Sequence, residues 1–314
     1  MSASSGLGRD NANWCHPSGA LAAGGWDCVV DDSTPAWTYT GLRTATLTPG
    51  GSVELLLGDH EAMVLPLDGG VIVDVGSPDG ETDESFTLHG RTGVFAGATD
   101  VVYAPPGTTL RVRPRADLSE GDAVRVAVCL AHAGGGIGIP ARYLPAADVP
   151  VELRGAGIAS RQVRNFGVPG VLDAHRVIAC EVVTPAGNWS SWPPHKHDTD
   201  RPGVEAELEE IYWFETQATD DRGTDAVGYQ RVYGTSERPI DVLAEVRTGD
   251  VVLVPHGWHG PAVAAPDADL YYLNVMAGPG PERAWRICDD PAHAWVRDTW
   301  PDLAVDPRLS PTES

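Results

Sequence analysis

Short apolar runs bounded by glycine or proline are the feature of this sequence that most restricts its fold. Examples are SVELLLG at 52–58, GGVIVDVG at 69–76, DAVRVAVCLA at 122–131 and GDVVLVP at 249–255. Such runs are rich in β-branched residues, have the length of strands and end at turn-forming residues. The chain contains 36 Gly and 26 Pro, and convincing long amphipathic helices are scarce. The sequence therefore predicts an all-β protein.

Two related halves are indicated by the order of these runs. A chain of 314 residues is long enough for about two domains. A glycine-rich segment, 132–150, separates two sets of strands, and a Pro-x-Gly turn follows a valine-rich strand in each set, at 103–110 and at 253–263. We predict duplicated β-sandwich or jelly-roll barrels, with residues 1–150 lacking metal ligands and residues 151–314 carrying a metal site and a C-terminal tail.

Charge and composition exclude some classes of partner. The formal net charge is −22, which disfavours binding to nucleic acid or to anionic membranes, since both need clustered lysine and arginine. No apolar run resembles a signal peptide or approaches the roughly 20 residues of a membrane helix. The five cysteines are widely spaced, which predicts free thiols and a cytoplasmic protein.

A His-x-His pair is the first sign of a metal site. His195 and His197 flank Lys196, which is the only lysine in the chain. Residues i and i+2 of a strand project to the same face, so both imidazoles can reach one ion. The same alternation turns Lys196 to the opposite face, where we expect it to pair with Asp198 or with another carboxylate.

A carboxylate and a third imidazole follow along the chain. The run LEEIYWFE at 208–215 offers a glutamate on an apolar strand, and GDVVLVPHGWHGP at 249–261 ends in Pro-x-Gly-x-His. Nitrogen and carboxylate ligands with open positions suit a divalent Zn, Mn, Fe, Co or Ni ion, and the sequence does not choose among these metals.

Both motifs resemble those of the cupins. Together, SSWPPHKHD (190–198), EEIYWF (209–214), YQRVYG (229–234), GDVVLVP and DLYYLNVMAGP (269–279) resemble the 5-deoxy-glucuronate isomerase family of inositol catabolism. The resemblance implies a bicupin, that is, two double-stranded β-helix barrels. The spacing from His197 to the glutamate exceeds that of typical cupins, which predicts an inserted loop over residues 198–208.

The resemblance implies four metal ligands: His195, His197, Glu210 and His259. Glu209 competes with Glu210, but related uronate isomerases place the ligand directly before an apolar residue and a tyrosine, as Glu210 stands here. His256 is a nearby alternative to His259. If Glu210 faces the metal, strand alternation puts Tyr212 on the same face.

Three residues are candidates for catalysis: Tyr212, Tyr229 and Arg231. Tyr229 and Arg231 share one face of the run GYQRVYG, and the pattern does not decide whether that face points inward. Arg231 offers a guanidinium for a substrate carboxylate.

The implied reaction is aldose–ketose isomerisation of 5-deoxy-glucuronate to 5-dehydro-2-deoxy-gluconate, by proton transfer or by hydride shift. A cupin dioxygenase or decarboxylase uses the same ligand types and is an alternative function. A non-catalytic sugar-binding bicupin is a further hypothesis. A small sugar acid is the expected partner. Homo-oligomerisation is expected, whereas nucleic-acid and membrane partners are not.

Overall fold

The protein is described from a computed structural model, which covers residues 7–77, 82–136, 138–220 and 225–309. The first ten strands are β1 (Cys15–His16), β2 (Cys28–Val30), β3 (Thr40–Leu47), β4 (Val53–Leu56), β5 (His60–Gly76), β6 (Thr82–Arg91), β7 (Val101–Ala104), β8 (Thr109–Pro114), β9 (Val124–His132) and β10 (Arg142–Leu144). The next seven are β11 (Val151–Arg154), β12 (Arg161–Gly167), β13 (Ile178–Thr184), β14 (Trp189–Ser190), β15 (His195–Lys196), β16 (Asp198–Arg201) and β17 (Glu205–Glu207). The last seven are β18 (Glu209–Ala218), β19 (Gly228–Tyr233), β20 (Asp241–Val246), β21 (Val251–Val254), β22 (Trp258–Ala264), β23 (Ala268–Ala277) and β24 (Cys288–Asp289).

Helices are few and short in the described part of the chain. The two α-helices, α1 (Asn11–Trp14) and α2 (Val296–Thr299), have four residues each. Four 3-10 turns complete the helical content: Val94–Ala96, Ala146–Asp148, Gly157–Ala159 and Trp300–Asp302. The prediction of an all-β protein is confirmed. None of the helices in the described ranges has the length and apolar character needed to span a bilayer.

The first sandwich is built around the 17-residue strand β5, which belongs to both of its sheets. One sheet runs β10-β7-β5-β9-β3-β2, and the other runs β4-β8-β5-β6. Alternate residues of these strands form a shared apolar core, as expected when one face of each strand is buried. This core is lined by aliphatic residues such as Val64, Val73, Leu88 and Val126.

The second sandwich has the same plan. One sheet runs β1-β21-β18-β23-β13-β12-β11, and the facing sheet runs β20-β19-β22-β15-β24 with β14 beside β22. Its core contains Tyr212, Phe214 and Tyr272 among aliphatic side chains. Strands β16 and β17 form a separate hairpin within residues 198–208, and the interpretation of this segment as an insertion stays a prediction.

A third apolar layer joins the two sandwiches. Met63 and Leu65 of β5 pack in one cluster with Ile211 and Trp213 of β18, on the sheet faces that point away from each barrel interior. The chain also crosses between them, because β1 pairs with β21. Part of the glycine-rich segment 132–150 is strand β10, which pairs with β7. Division into domains 1–150 and 151–314 stays a prediction.

Candidate metal centre

Three buried side chains meet at one end of the second sandwich. One ligand atom from each of His197, Glu210 and His259 lies within 4.8 Å of the other two. Glu210 Oε2 is 3.0 Å from His197 Nε2 and 3.0 Å from His259 Nε2. All three residues are at most 2% exposed. They are therefore withdrawn from bulk water and directed at a common point.

The strands fix these positions. Glu210 lies near the start of β18, and His259 lies at the start of β22, where it pairs with both Val232 and His195. The turn before β22 contains Gly257 at φ +90°, a conformation that favours glycine. Between His259 and Ala262, strand β22 has one more residue than its partner β19. This bulge lets both His259 and Ala262 face the barrel interior.

Backbone carbonyls orient the imidazoles. Nδ1 of His197 is 3.1 Å from the carbonyl oxygen of Leu208, and Nδ1 of His259 is 3.2 Å from that of Gly257. A carbonyl oxygen only accepts hydrogen bonds, so Nδ1 carries the proton and donates it. In the neutral rings, Nε2 then directs a lone pair toward the Glu210 carboxylate. This arrangement is typical of histidines that hold a metal through Nε2.

His195 stands at the open side of this cluster. Its ring centroid is 4.6 Å from that of His259 and 6.4 Å from that of His197. Its Nδ1 is 3.4 Å from the carbonyl oxygen of Pro193. Burial, reinforced by the neighbouring histidines, holds the pKa of His195 well below its ordinary value. The ring is therefore kept neutral, which is the form that binds a metal.

The charge distribution of the cluster also suits a cation. Burial would raise the pKa of Glu210, but its imidazole neighbours lower that pKa to about 2, so the carboxylate is ionised. Burial lowers the pKa of His197, but the hydrogen bond that a protonated Nε2 donates to Glu210 outweighs burial and raises that pKa, and a metal bound at Nε2 would displace this proton. Nε2 of His259 is buried and makes no hydrogen bond. A divalent metal bound by these residues would take up that lone pair and neutralise the carboxylate.

The two neighbouring glutamates have separate environments. Glu209 points to the opposite face of β18 and accepts hydrogen bonds from the backbone N–H groups of Tyr39 at 2.6 Å and Thr40 at 2.7 Å. It therefore belongs to the contact between the sandwiches, whereas Glu210 belongs to the cluster. His256, the alternative to His259, is half-buried in the preceding turn and is not one of the three clustered residues.

Hydroxyl groups lie beside the cluster. The ring of Tyr212 is 6.1 Å from that of His259, and its hydroxyl is 3.3 Å from Ser191 Oγ. Ser191 Oγ is also 3.2 Å from the hydroxyl of Tyr272. Burial, followed by the charge of Glu210, raises the pKa of Tyr212 well above its ordinary value. Its hydroxyl is therefore kept protonated and suited to donating a hydrogen bond.

The outward face of β19 carries the other two predicted catalytic residues. Tyr229 is 39% exposed, and its hydroxyl donates to Glu245 at 3.0 Å. Arg231 is ion-paired with Asp241 at 2.6 Å. Neither side chain reaches the histidines, so the structure gives no contact that supports their predicted roles. The physical reason is the pleat: the alternate residues, Gln230 and Val232, are the fully buried ones.

Lys196 has the orientation expected from strand alternation. Its ammonium group pairs with Asp198 and, at 2.6 Å, with Glu205, and it lies 5.8 Å from the ring centroid of Trp258. Asp198 and Glu205 belong to the β16–β17 hairpin. The lysine therefore ties the β16–β17 hairpin to β15, the strand that carries His195, and it does not face the metal centre.

Sequence reasoning missed three polar residues around the centre. Ser191 links the two tyrosine hydroxyls, and both amide atoms of the fully buried Gln230 lack a hydrogen-bond partner. Arg161 lies at the mouth of the site and shares a cavity with His195. Arg161 begins the largely polar run RQVRNFG (161–167), so its burial could not be predicted from the sequence.

This chain is similar to known proteins along most of its length. The model of the KduI/IolB family matches residues 14–296. A relative from Geobacillus thermodenitrificans (strain NG80-2), named 5-deoxy-glucuronate isomerase, is 39% identical over 271 residues, which are 86% of this chain and 90% of the relative.

Solved structures support the architecture. An IolB-like protein from Salmonella typhimurium LT2 superposes with a TM-score of 0.77 at 31% identity, over 90% of this chain and 99% of that one. The oxalate decarboxylase of Lactobacillus farciminis, solved as a formate complex, superposes with a TM-score of 0.59 at 11% identity, over 99% and 96% of the two chains. The second likeness concerns the fold alone, and the predicted duplicated cupin fold is confirmed.

Proposed function

This chain belongs to the KduI/IolB family, and from that premise we propose that it is a metal-dependent isomerase of 5-deoxy-glucuronate. The product is 5-dehydro-2-deoxy-gluconate. In the numbering of the substrate, the reaction moves the carbonyl group from C1 to C2. The observation that carries the proposal is the buried cluster of His197, Glu210 and His259, with His195 beside it. These four residues would hold the metal.

Each part of the site has a role in this reaction. A divalent metal bound there would polarise the carbonyl group and make the hydrogen on the adjacent carbon more acidic. The carbonyl contacts at Nδ1 keep the imidazoles in place without further reorganisation. Tyr212 directs a protonated hydroxyl to the same interior, where it can donate a hydrogen bond to a substrate oxygen that gains negative charge.

Several features support the cellular setting that we propose. All five cysteines are free thiols, as in proteins of a reducing cytoplasm. We also propose a place in inositol catabolism, because the sequence resembles a family of that pathway and its relatives carry the name 5-deoxy-glucuronate isomerase. A homo-oligomeric state stays a prediction. It also stays a prediction that a small sugar acid is the partner and that nucleic acid and membranes are not.

The test is anaerobic turnover of 5-deoxy-glucuronate, followed by loss of its aldehyde proton signal in NMR. We expect turnover without oxygen, which a dioxygenase would not give. In His197→Ala, bound metal and turnover should both fall by about 10³-fold or more, because one of three buried ligands is lost. Retention of metal and turnover in this variant would refute the site. Isomerisation in D₂O adds a second readout, since deuterium at C6 of the product, the former C1 of the substrate, indicates proton transfer.

A further inference from the structure

A cavity of about 390 Å³ lies beside His195, the histidine next to the buried cluster of His197, Glu210 and His259. Its lining includes His195, Arg154, Arg161, Trp285, Asp289 and Arg297. Three arginines around one cavity are notable in a chain whose net charge is −22. The ion pairs of these arginines decide how much positive charge the cavity keeps.

Two of the three arginines are already neutralised by protein carboxylates. Arg154 pairs with Glu152 through two contacts, at 3.0 and 2.6 Å. Arg297 pairs in the same bidentate manner with Asp289. Among the described residues, no acidic side chain forms an ion pair with Arg161. The cavity therefore has one cation whose charge the protein leaves uncompensated.

Burial makes this lack of a partner costly. Arg161 is 5% exposed, and desolvation, reinforced by the charges of Arg154 and Arg297, lowers its pKa to about 10. A buried guanidinium with no carboxylate is destabilising unless a ligand supplies the missing charge. The group nevertheless stays protonated at neutral pH, so it is a permanent anion-binding group at this position.

The position of Arg161 is fixed in advance. It lies on β12 two residues before Val163, whose side chain is in the core of the second sandwich, so both share the inward face. Its Nη1 donates to the carbonyl oxygens of Ala159 at 3.0 Å and Trp192 at 3.5 Å. Its guanidinium carbon lies 5.6 Å from the ring centroid of Trp300. These contacts hold the plane of the guanidinium and leave its remaining donors for a ligand.

We infer that Arg161 is the specificity-determining residue that binds the carboxylate of the substrate. The chemical class of the ligand is a short open-chain sugar acid, with its carboxylate at Arg161 and its opposite end at the histidines. The identification of that acid as 5-deoxy-glucuronate rests on the proposed function. This assignment replaces Arg231, whose guanidinium is already paired with Asp241 on the outer face of β19.

Binding of an unreactive pair of ligands tests the inference directly. D-gluconate and D-glucitol differ at one end, where a carboxylate is replaced by a hydroxymethyl group. Calorimetry on the metal-loaded protein should show that the wild type prefers gluconate. In Arg161→Gln, gluconate binding should weaken by about ten- to a hundred-fold, the usual worth of a charge-assisted bidentate contact, with glucitol binding unchanged. Arg161→Lys should bind gluconate with an affinity between those of the wild type and Arg161→Gln.

Arg43→Gln is the matched control. Arg43 also lies over a tryptophan, 5.8 Å from the ring centroid of Trp26, but it is paired with Asp31 and belongs to the first sandwich. The control should leave the preference for gluconate intact. Equal gluconate affinity in wild type and Arg161→Gln, at equal metal content, would overturn the inference, and so would a wild type with no preference for gluconate.

Kinetics separate this inference from the proposed function. If wild type turns over 5-deoxy-glucuronate, Arg161→Gln should raise KM by about the same factor as the loss of gluconate affinity. If wild type does not turn it over, the proposed function fails, while the gluconate and glucitol measurements still decide whether Arg161 binds a carboxylate.

Discussion

The two sandwiches have equivalent strands. The strands that form the metal centre in the second sandwich have counterparts in the first that carry different side chains. In the second sandwich, Glu210 pairs with Val254, the last residue of β21 before a proline. In the first, Ala62 pairs with Ala104, the last residue of β7 before a proline. By this register, Ala62 is the counterpart of Glu210. A carboxylate in one barrel corresponds to a methyl group in the other.

The histidine ligands have counterparts as well. His195 pairs with His259 across β15 and β22, and Leu56 pairs with Thr109 across β4 and β8. The backbone frame that aligns the ligands is therefore present in both halves. Among the described residues, the group of His and carboxylate side chains that are close enough to share a metal lies in the second half. The backbone frame alone does not create a metal site. Metal binding also depends on which side chains occupy a few inward-facing positions.

A different pair of counterparts is common to both halves. Glu61 and Glu209 precede the Ala62 and Glu210 positions, and each reaches into the other half of the chain. Glu61 accepts backbone hydrogen bonds from residues 175–177 at 2.5–2.7 Å. Glu209 accepts them from residues 38–40 at 2.6–3.3 Å. On β18, two adjacent residues therefore have different roles. Glu209 joins the two halves of the chain, and Glu210 belongs to the metal centre.

Among the variants that test this comparison, Tyr212→Phe is expected to have the largest effect on turnover. The hydroxyl beside the metal centre is lost while the ring and the core packing remain. Turnover should fall by about 10²-fold, the lower range for a group that assists proton movement or stabilises developing charge. Bound metal should be unchanged. Tyr229→Phe is the matched control, and its turnover should stay within about two-fold of wild type because its hydroxyl is on the outer face.

A smaller effect is expected from Glu61→Ala and Glu209→Ala. Each substitution leaves backbone N–H groups without their acceptor at the junction, so each should lower the free energy of unfolding by about 2 kcal/mol. Because the two glutamates are counterparts, the losses should be similar. Urea unfolding provides the measurement. A loss confined to one of the two variants would contradict the reciprocal arrangement.

Much of this site follows from local periodicity. Alternation along β18 places Tyr212 on the face of Glu210, in the core of the second sandwich, as predicted, and it turns Ile211 and Trp213 to the layer between the sandwiches. It also separates Lys196 from its flanking histidines. These predictions succeed because the period of a strand is two residues wherever the strand lies.

Other features depend on contacts between distant residues. The pattern of β19 gives two faces, but only packing of its sheet against the facing sheet makes Gln230 and Val232 the inward pair and leaves Tyr229 and Arg231 outside. The burial of Arg161 depends on Trp300, far along the chain. Pairing of β1 with β21 is equally nonlocal. Sequence spacing contains no information about which distant segment covers a residue.

Metal stoichiometry in two adjacent variants tests the central claim most directly. Glu209→Gln and Glu210→Gln make the same change at neighbouring positions on opposite faces of β18. Metal analysis of the purified proteins should find one ion per chain in wild type and in Glu209→Gln, and at most a trace in Glu210→Gln. Retention of a full equivalent of metal by Glu210→Gln, or its loss from folded Glu209→Gln, would contradict the assignment of the centre to the second sandwich.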